Sequence, residues 1–275
     1  MWTLSGFVDE ISDDFGEQCA VAAGLGLRYV EVRSAWGVNI LDLDEKQLSS
    51  LQQTMAEHGL SVSSIGSPIG KIFLDEDFGP HLDRMRHAAD VARLLGAPYI
   101  RVFSFFLRPD SDPADHRDEV LRRMRALTEV AEQAGLVLLH ENEKEIYGDT
   151  PARCLDIVTS VDSPHLRLAW DPANFVQVGV QPFTEGYAML RPYVEYVQVK
   201  DALTANGTVV VAGAGDGEVV TTVRALLDDG FDGFFSLEPH LGRVDSFGAS
   251  SGPRLFTSAW QAFTDILRAE QIPFR

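Results

Sequence analysis

The feature that most limits how this chain can fold is a recurrence along its whole length. Short apolar or β-branched runs are each followed by a polar break and then a stretch of helical periodicity. Eight such runs begin near Leu4 (LSGFVD), Arg28 (RYVEVR), Ser61 (SVSSIG), Pro98 (PYIRVFSF), Leu136 (LVLLHEN), Leu166 (LRLAWD), Val194 (VEYVQVKD) and Gly233 (GFFSLEP). Their spacing is about 33 residues, the length of one strand-loop-helix-loop unit. Between them, segments 45–58, 80–95 and 115–134 carry apolar residues at three- and four-residue intervals, as amphipathic helices do. Gly59, Gly96, Gly135 and Gly230 stand where helix ends favour a left-handed residue.

Eight alternating units without a dividing linker predict one α/β domain over residues 1–275, a single (β/α)8 TIM barrel. An open doubly wound sheet has a similar local pattern, but no GxGxxG follows the first run. The turn there reads Asp9-Glu10-Ile11-Ser12-Asp13-Asp14, which would repel a pyrophosphate. The length of 275 residues suits one barrel, and 45% hydrophobic with 23% charged residues excludes a disordered chain.

A net charge of -18 argues against a nucleic-acid partner, which needs a Lys/Arg-rich face to displace counterions. Cys19 and Cys154 form no CxxC pair, consistent with a reducing compartment. The first ten residues lack a basic n-region, and no apolar run approaches the roughly 18 residues of a spanning helix. A cytoplasmic protein without a membrane partner is expected. Association into a homo-oligomer is left open by the sequence.

In a barrel of this kind chemistry is built at the C-terminal ends of the strands. Here those ends are polar: His140-Glu141-Asn142-Glu143 after strand five, Trp170-Asp171-Pro172-Ala173-Asn174 after strand six, Gln198-Val199-Lys200-Asp201 after strand seven and Glu238-Pro239-His240 after strand eight. Period-two alternation turns Glu141, Asp171, Gln198 and Glu238 inward on adjacent staves. Three carboxylates so placed repel one another unless a cation neutralises them, and a divalent metal does so economically. The alternative is that they cap helices or pair with Lys200 and arginines around the rim.

The segments LLHENE, LAWDPANF, VQVKDA, AGAGDGEV and FFSLEPHL, in that order and spacing, resemble the xylose-isomerase-like superfamily of sugar phosphate isomerases and epimerases. The resemblance covers essentially the whole chain. It implies that Glu141 and Glu238 are paired metal-bound glutamates and Asp171 a third ligand. Gln198 stands where relatives usually carry His. Its amide oxygen can ligate a hard cation but gives up the imidazole nitrogen, so Mn²⁺ or Mg²⁺ is favoured over Zn²⁺ or Co²⁺. Asn174 stands where relatives commonly place a substrate-contacting His, and it cannot exchange a proton near neutral pH.

The expected activity is a divalent-metal-dependent isomerisation or epimerisation of a small sugar-like molecule: a sugar, sugar phosphate or cyclitol. A metal bridging a carbonyl and its neighbouring hydroxyl would acidify the C–H between them. Glu141 and Glu238 would then pass the proton through an enediolate as base and acid. The alternatives are a metal-dependent dehydratase of a keto-cyclitol or sugar acid, and a catalytically silent carbohydrate-binding barrel. The few histidines and the acidic charge argue against a three-zinc DNA-repair endonuclease of the wider superfamily.

Asn174, Lys200, Asp201, His240 and Lys71 are the expected substrate contacts, with Lys200 equally suited to offsetting the acidic mouth. His140 should point into the layer between strands and helices. Glu10, Glu31, Arg33 and Arg101 also end strands and are candidates for the pocket wall, and Trp36 and Phe105 for either a sugar face or the core. Backbone N–H groups of Gly213-Ala214-Gly215-Asp216-Gly217 suit an anion, or form a simple turn beside the site.

Overall fold

The computed structural model describes residues 1–245 and 248–275. All eight runs become strands: β1 Thr3–Gly6, β2 Tyr29–Val32, β3 Ser61–Ile65, β4 Tyr99–Val102, β5 Val137–Glu141, β6 Leu166–Trp170, β7 Val194–Val199 and β8 Phe234–Leu237. They form one eight-stranded sheet in the order β1-β8-β7-β6-β5-β4-β3-β2. Neighbours within it run parallel. A parallel bridge from Phe7 to Glu31 draws the two outer strands together, so the sheet rolls into a nearly closed barrel.

The helices after successive strands are α1 Phe15–Gly24, α2 Glu45–Glu57, α3 Phe78–Leu95, α4 Pro113–Ala134, α5 Pro151–Val161, α6 Pro172–Gln177, α7 Val219–Asp228 and α8 Gly252–Ala269. Their ends follow from local chemistry. Asp44 and Gln47 close a capping box at the start of α2. Gly96 and Gly135 end α3 and α4 at φ 67° and 70°, a region that costs other residues energy. Among the described residues no helix is long and apolar enough to cross a membrane.

Alternation along each strand sorts side chains between two cores. Val30, Val32, Ile100, Val102, Leu138, Leu168, Phe235 and Leu237 are buried in the large core shared with the helices. Each such side chain contributes about 1.5–3 kcal/mol by leaving water. His140 shares a face with Leu138 and is fully buried, as its alternation predicts. It packs so tightly that a Cβ on Gly148 would stand 2.4 Å from its ring.

The opposite faces fill the barrel in tiers. Tyr99, Leu139, Ala169, Tyr196 and Phe234 make an apolar floor. Two residues further along the strands lie Glu31, Gln198 and Ser236, joined by hydrogen bonds. Charged groups make the roof: Arg33, Arg101, Glu141, Asp171, Lys200 and Glu238, all buried. Phe105 belongs to the core and not to a sugar platform, since it is fully buried with its ring edge-on to Phe78 and His81. Trp36 packs on Phe15 at 5.5 Å.

Candidate active site

Five of these roof residues, Arg33, Arg101, Glu141, Lys200 and Glu238, line an open cavity of about 770 Å³ at the C-terminal end of the barrel. Glu141 reaches it from β5, whereas Asp171, at the end of β6, is fully buried and does not line it. Asp171 does two local jobs, for it ends the strand and caps α6: its Oδ1 accepts the Asn174 N–H at 2.9 Å while Pro172 occupies the first helical turn. Asn142 ties the two strand ends together. Its Oδ1 accepts the Asp171 N–H at 3.0 Å and its Nδ2 donates to the Asp171 carbonyl at 2.8 Å, imitating one more rung of the ladder. Sequence reasoning missed this residue; the only signal is an asparagine directly after an inward glutamate.

Glu141, Asp171 and Glu238 converge: each offers an oxygen within 4.8 Å of the others, and all three are buried. Burial without charge compensation is costly, and the compensation comes from cations on neighbouring strands. Lys200 Nζ stands 2.6 Å from Asp171 Oδ2 and 2.8 Å from Glu238 Oε2. Arg101 Nη1 lies 3.2 Å from Glu141 Oε2 and 3.5 Å from Glu238 Oε1. Arg33 Nη1 is 3.3 Å from Glu238 Oε1, and its Nε is held by Asp9 at 2.7 Å. The two guanidinium groups also sit over the Phe7 ring, at 4.7 Å for Arg33 and 4.6 Å for Arg101.

The carboxylates are not equivalent. Burial opposes the charge on Glu238, yet this group is drawn well below the usual range, chiefly by Lys200, with His240 and Arg101 adding to the effect. Burial raises Glu141, with Arg101 opposing, and lifts Asp171 to about 8, with Lys200 opposing. Burial also works against the Lys200 ammonium, but Asp171, Glu238 and Glu141 outweigh it and hold the group charged.

Gln198 lies on the inner face of β7, between Tyr196 and Lys200. Its Nε2 donates to Glu31 Oε2 at 3.2 Å, and its Oε1 is buried with no hydrogen-bond partner among the described residues. Such an orphaned carbonyl costs about 1–3 kcal/mol, which a cation would relieve. Three carboxylates and one amide oxygen are the donor chemistry of a hard divalent ion, so these residues fit one. An ion drawing on Asp171 Oδ2 and Glu238 Oε2 must contend with the Lys200 ammonium between them. A second grouping, Glu10, Glu238 and His240, shares Glu238 and lies beside Arg33.

The expected substrate contacts divide. Asn174, Lys200, His240 and Lys71 line the cavity. Asn174 Nδ2 donates to Glu141 Oε1 at 3.3 Å and to the Asn142 carbonyl at 2.9 Å. His240 Nε2 lies 3.4 Å from Glu238 and 3.5 Å from Glu10. Lys71 pairs with Glu143 at 3.3 Å and sits 4.3 Å above the Phe103 ring.

Asp201 differs from expectation. Its carboxylate accepts N–H groups from Ala202, Gly213, Gly215 and Gly217 at 2.8–3.0 Å, so it is spent on shaping the loop. The glycine-rich stretch does cradle an anion, and that anion is the chain's own aspartate. A Cβ at Gly215 or Gly217 would fall 2.5 or 2.6 Å from Asp201 Oδ1, which accounts for the glycines.

Comparison with known proteins agrees with this architecture. A 2-epi-5-epi-valiolone 7-phosphate 2-epimerase of Actinoplanes sp. is 31% identical over 138 residues, 50% of this chain and 49% of the relative. A 3-dehydroshikimate dehydratase of Bacillus anthracis is 21% identical over 174 residues, 62% of this chain and 61% of the relative. The chain thus spans about half to three fifths of these curated relatives. Among solved structures, a D-tagatose 3-epimerase-like protein superposes with TM-score 0.80 at 15% identity, covering 97% of both chains. A xylose isomerase-like TIM barrel protein from Mycobacterium smegmatis, in complex with magnesium, gives TM-score 0.71 at 22% identity over 97% of this chain and 98% of that one. Residues 19–255 match a single family description, and on that match the chain belongs to the Xylose isomerase-like TIM barrel family.

Proposed function

We propose that this chain is a divalent-metal-dependent isomerase or epimerase of a small sugar-like hydroxy-carbonyl compound, working by proton transfer. The observation that carries the reading is the buried triad of Glu141, Asp171 and Glu238, whose ligand oxygens lie within 4.8 Å of one another, with Glu141 and Glu238 lining the open mouth of the barrel. Glu141, Asp171, Gln198 and Glu238 would hold the ion. Mn²⁺ or Mg²⁺ suits their oxygen donors, and a magnesium complex is known for the Mycobacterium smegmatis structure.

A bound divalent ion supplies Lewis acidity to the substrate's carbonyl and adjacent hydroxyl. Glu141 and Glu238 supply the proton chemistry, one removing the C–H proton and the other returning one to the opposite face or the adjacent carbon. With its Nδ2 committed to Glu141 and the Asn142 carbonyl, Asn174 would accept from a substrate hydroxyl through Oδ1, and Lys200, Arg101 and Arg33 keep the carboxylates compensated while charge moves. Lys71, Arg84 and Lys144 line the outer cavity and suit a phosphorylated or other anionic substituent. The Actinoplanes relative is named as an epimerase of 2-epi-5-epi-valiolone 7-phosphate, which supports including phosphorylated substrates.

The same proton removal followed by loss of a neighbouring hydroxyl gives a dehydratase, a reading favoured by the Bacillus anthracis relative. One assay addresses both: turnover of ketoses, their phosphates and keto-cyclitols with Mn²⁺ and with EDTA, products identified by NMR. Metal-dependent epimer or isomer formation is expected. Metal-dependent loss of water identifies the dehydratase. No bound ion and no turnover with added Mn²⁺ overturns the enzyme reading in favour of a sugar-binding barrel.

A further inference from the structure

Glutamine is an awkward metal ligand because its two ends look alike in shape but only one of them can bind a cation. An amide free to turn would offer its NH₂ group as readily as its oxygen. Whatever holds the nitrogen end therefore decides whether Gln198 ligates at all.

That holder is Glu31, on the opposite side of the barrel. It is fully buried, and its Oε2 accepts from Gln198 Nε2 at 3.2 Å, from Tyr196 Oη at 3.1 Å and from Ser236 Oγ at 2.7 Å. The Tyr196 hydroxyl is itself 2.9 Å from Ser63 Oγ, which lies 2.6 Å from Ser5 Oγ. The acceptor is thus fixed by side chains from β1, β3, β7 and β8, all rigid staves. Three donors converge on Oε2, and the end of the Gln198 amide that faces it is the nitrogen, so Oε1 is left at the far end, buried and unpartnered among the described residues.

We propose that Glu31 is a positioning residue for the metal site: it locks the Gln198 amide so that Oε1, and not the NH₂ group, is presented to the cation. The proposal rests on the metal reading above and extends it to a residue that touches neither the ion nor the substrate. Partners that orient a metal ligand typically account for a 10–100-fold change in affinity. The competing account is that Glu31 only satisfies Tyr196 and Ser236 inside the barrel.

Calorimetric titration of Mn²⁺ into the whole chain separates them through a double-mutant cycle of Glu31→Gln, Gln198→Ala and the pair. The amide introduced by Glu31→Gln can present either of its own ends, so the lock is lost while volume is kept. Glu31→Gln alone should weaken Mn²⁺ binding about 10–100-fold. In the Gln198→Ala background it should add nothing further. Wild-type affinity in folded Glu31→Gln protein, or losses that multiply in the double variant, would overturn the proposal. Should Glu31→Gln fail to fold, Glu31→Asp keeps the carboxyl group and withdraws the acceptor by one methylene, with the same two outcomes. If wild-type protein takes up no Mn²⁺, the metal reading itself fails and carries the proposal with it. Normal wild-type uptake with an unaffected Glu31 variant sinks the proposal alone.

Discussion

Replacing Lys200 with methionine isolates the charge at the centre of the site, because the stem is kept and only the ammonium is lost. That ammonium lies 2.6 Å from Asp171 Oδ2 and 2.8 Å from Glu238 Oε2, and all three residues are buried. Removing one member of a buried ion pair typically costs about 3–5 kcal/mol, because the partner charge is left uncompensated. At about 2 °C per kcal/mol for a chain of this size, the melting temperature in EDTA should fall by roughly 6–10 °C. Mn²⁺ can then take over the neutralising role. At a hundredfold excess over its Kd a ligand adds about 2.7 kcal/mol, so the variant should recover roughly 5 °C. Wild-type protein should gain less, since there the ion must contend with the ammonium. Differential scanning calorimetry of both proteins, with EDTA and with Mn²⁺, reads all four values. A Lys200→Met melting point within about 1 °C of wild type in EDTA, or equal Mn²⁺ gains in both, would refute the reasoning.

Glu141→Gln should lower kcat about 10²–10⁴-fold and abolish deuterium uptake into substrate from heavy water, as followed by NMR; unchanged uptake would place the proton transfer elsewhere. Asp201→Asn removes a carboxylate oxygen from the glycine loop, at a cost of about 1–3 kcal/mol. Hydrogen exchange at Gly213, Gly215 and Gly217 should accelerate, and unaltered protection would contradict the cradle. His81 Nε2 accepts the Gly70 N–H at 2.7 Å, and burial pushes its pKa from 6.5 down to about 4. A depressed histidine contributes full stability above its unfolded pKa and loses it as pH falls. The stability lead of wild type over His81→Gln should therefore shrink between pH 6.5 and about 4 in denaturant titrations, and a constant lead would refute the assignment.

Barrel topology was legible because it is written locally. Each strand declares itself by a short apolar or β-branched run and several helix ends by glycines such as Gly96 and Gly135, while the eightfold repeat leaves few ways to assemble them. Convergence of Glu141, Asp171 and Glu238 followed from the same period of two. Depth was not legible. Alternation puts Lys200 on the inner face but cannot say that its ammonium settles between Asp171 and Glu238. The tie between Glu31 and Gln198 links β2 to β7 across the barrel, 167 positions apart, which no local pattern encodes. Asp201 misled because a strand-end carboxylate reads alike whether it meets a substrate or its own loop, and only the folded glycines decide.

Anomalous diffraction from crystals soaked in Mn²⁺ tests the central claim most directly. The account predicts one ion in the barrel mouth, about 2.0–2.3 Å from oxygens of Glu141, Asp171, Gln198 and Glu238. A mouth with no anomalous peak and Lys200 still bridging Asp171 and Glu238, or an ion bound through other residues, would contradict it.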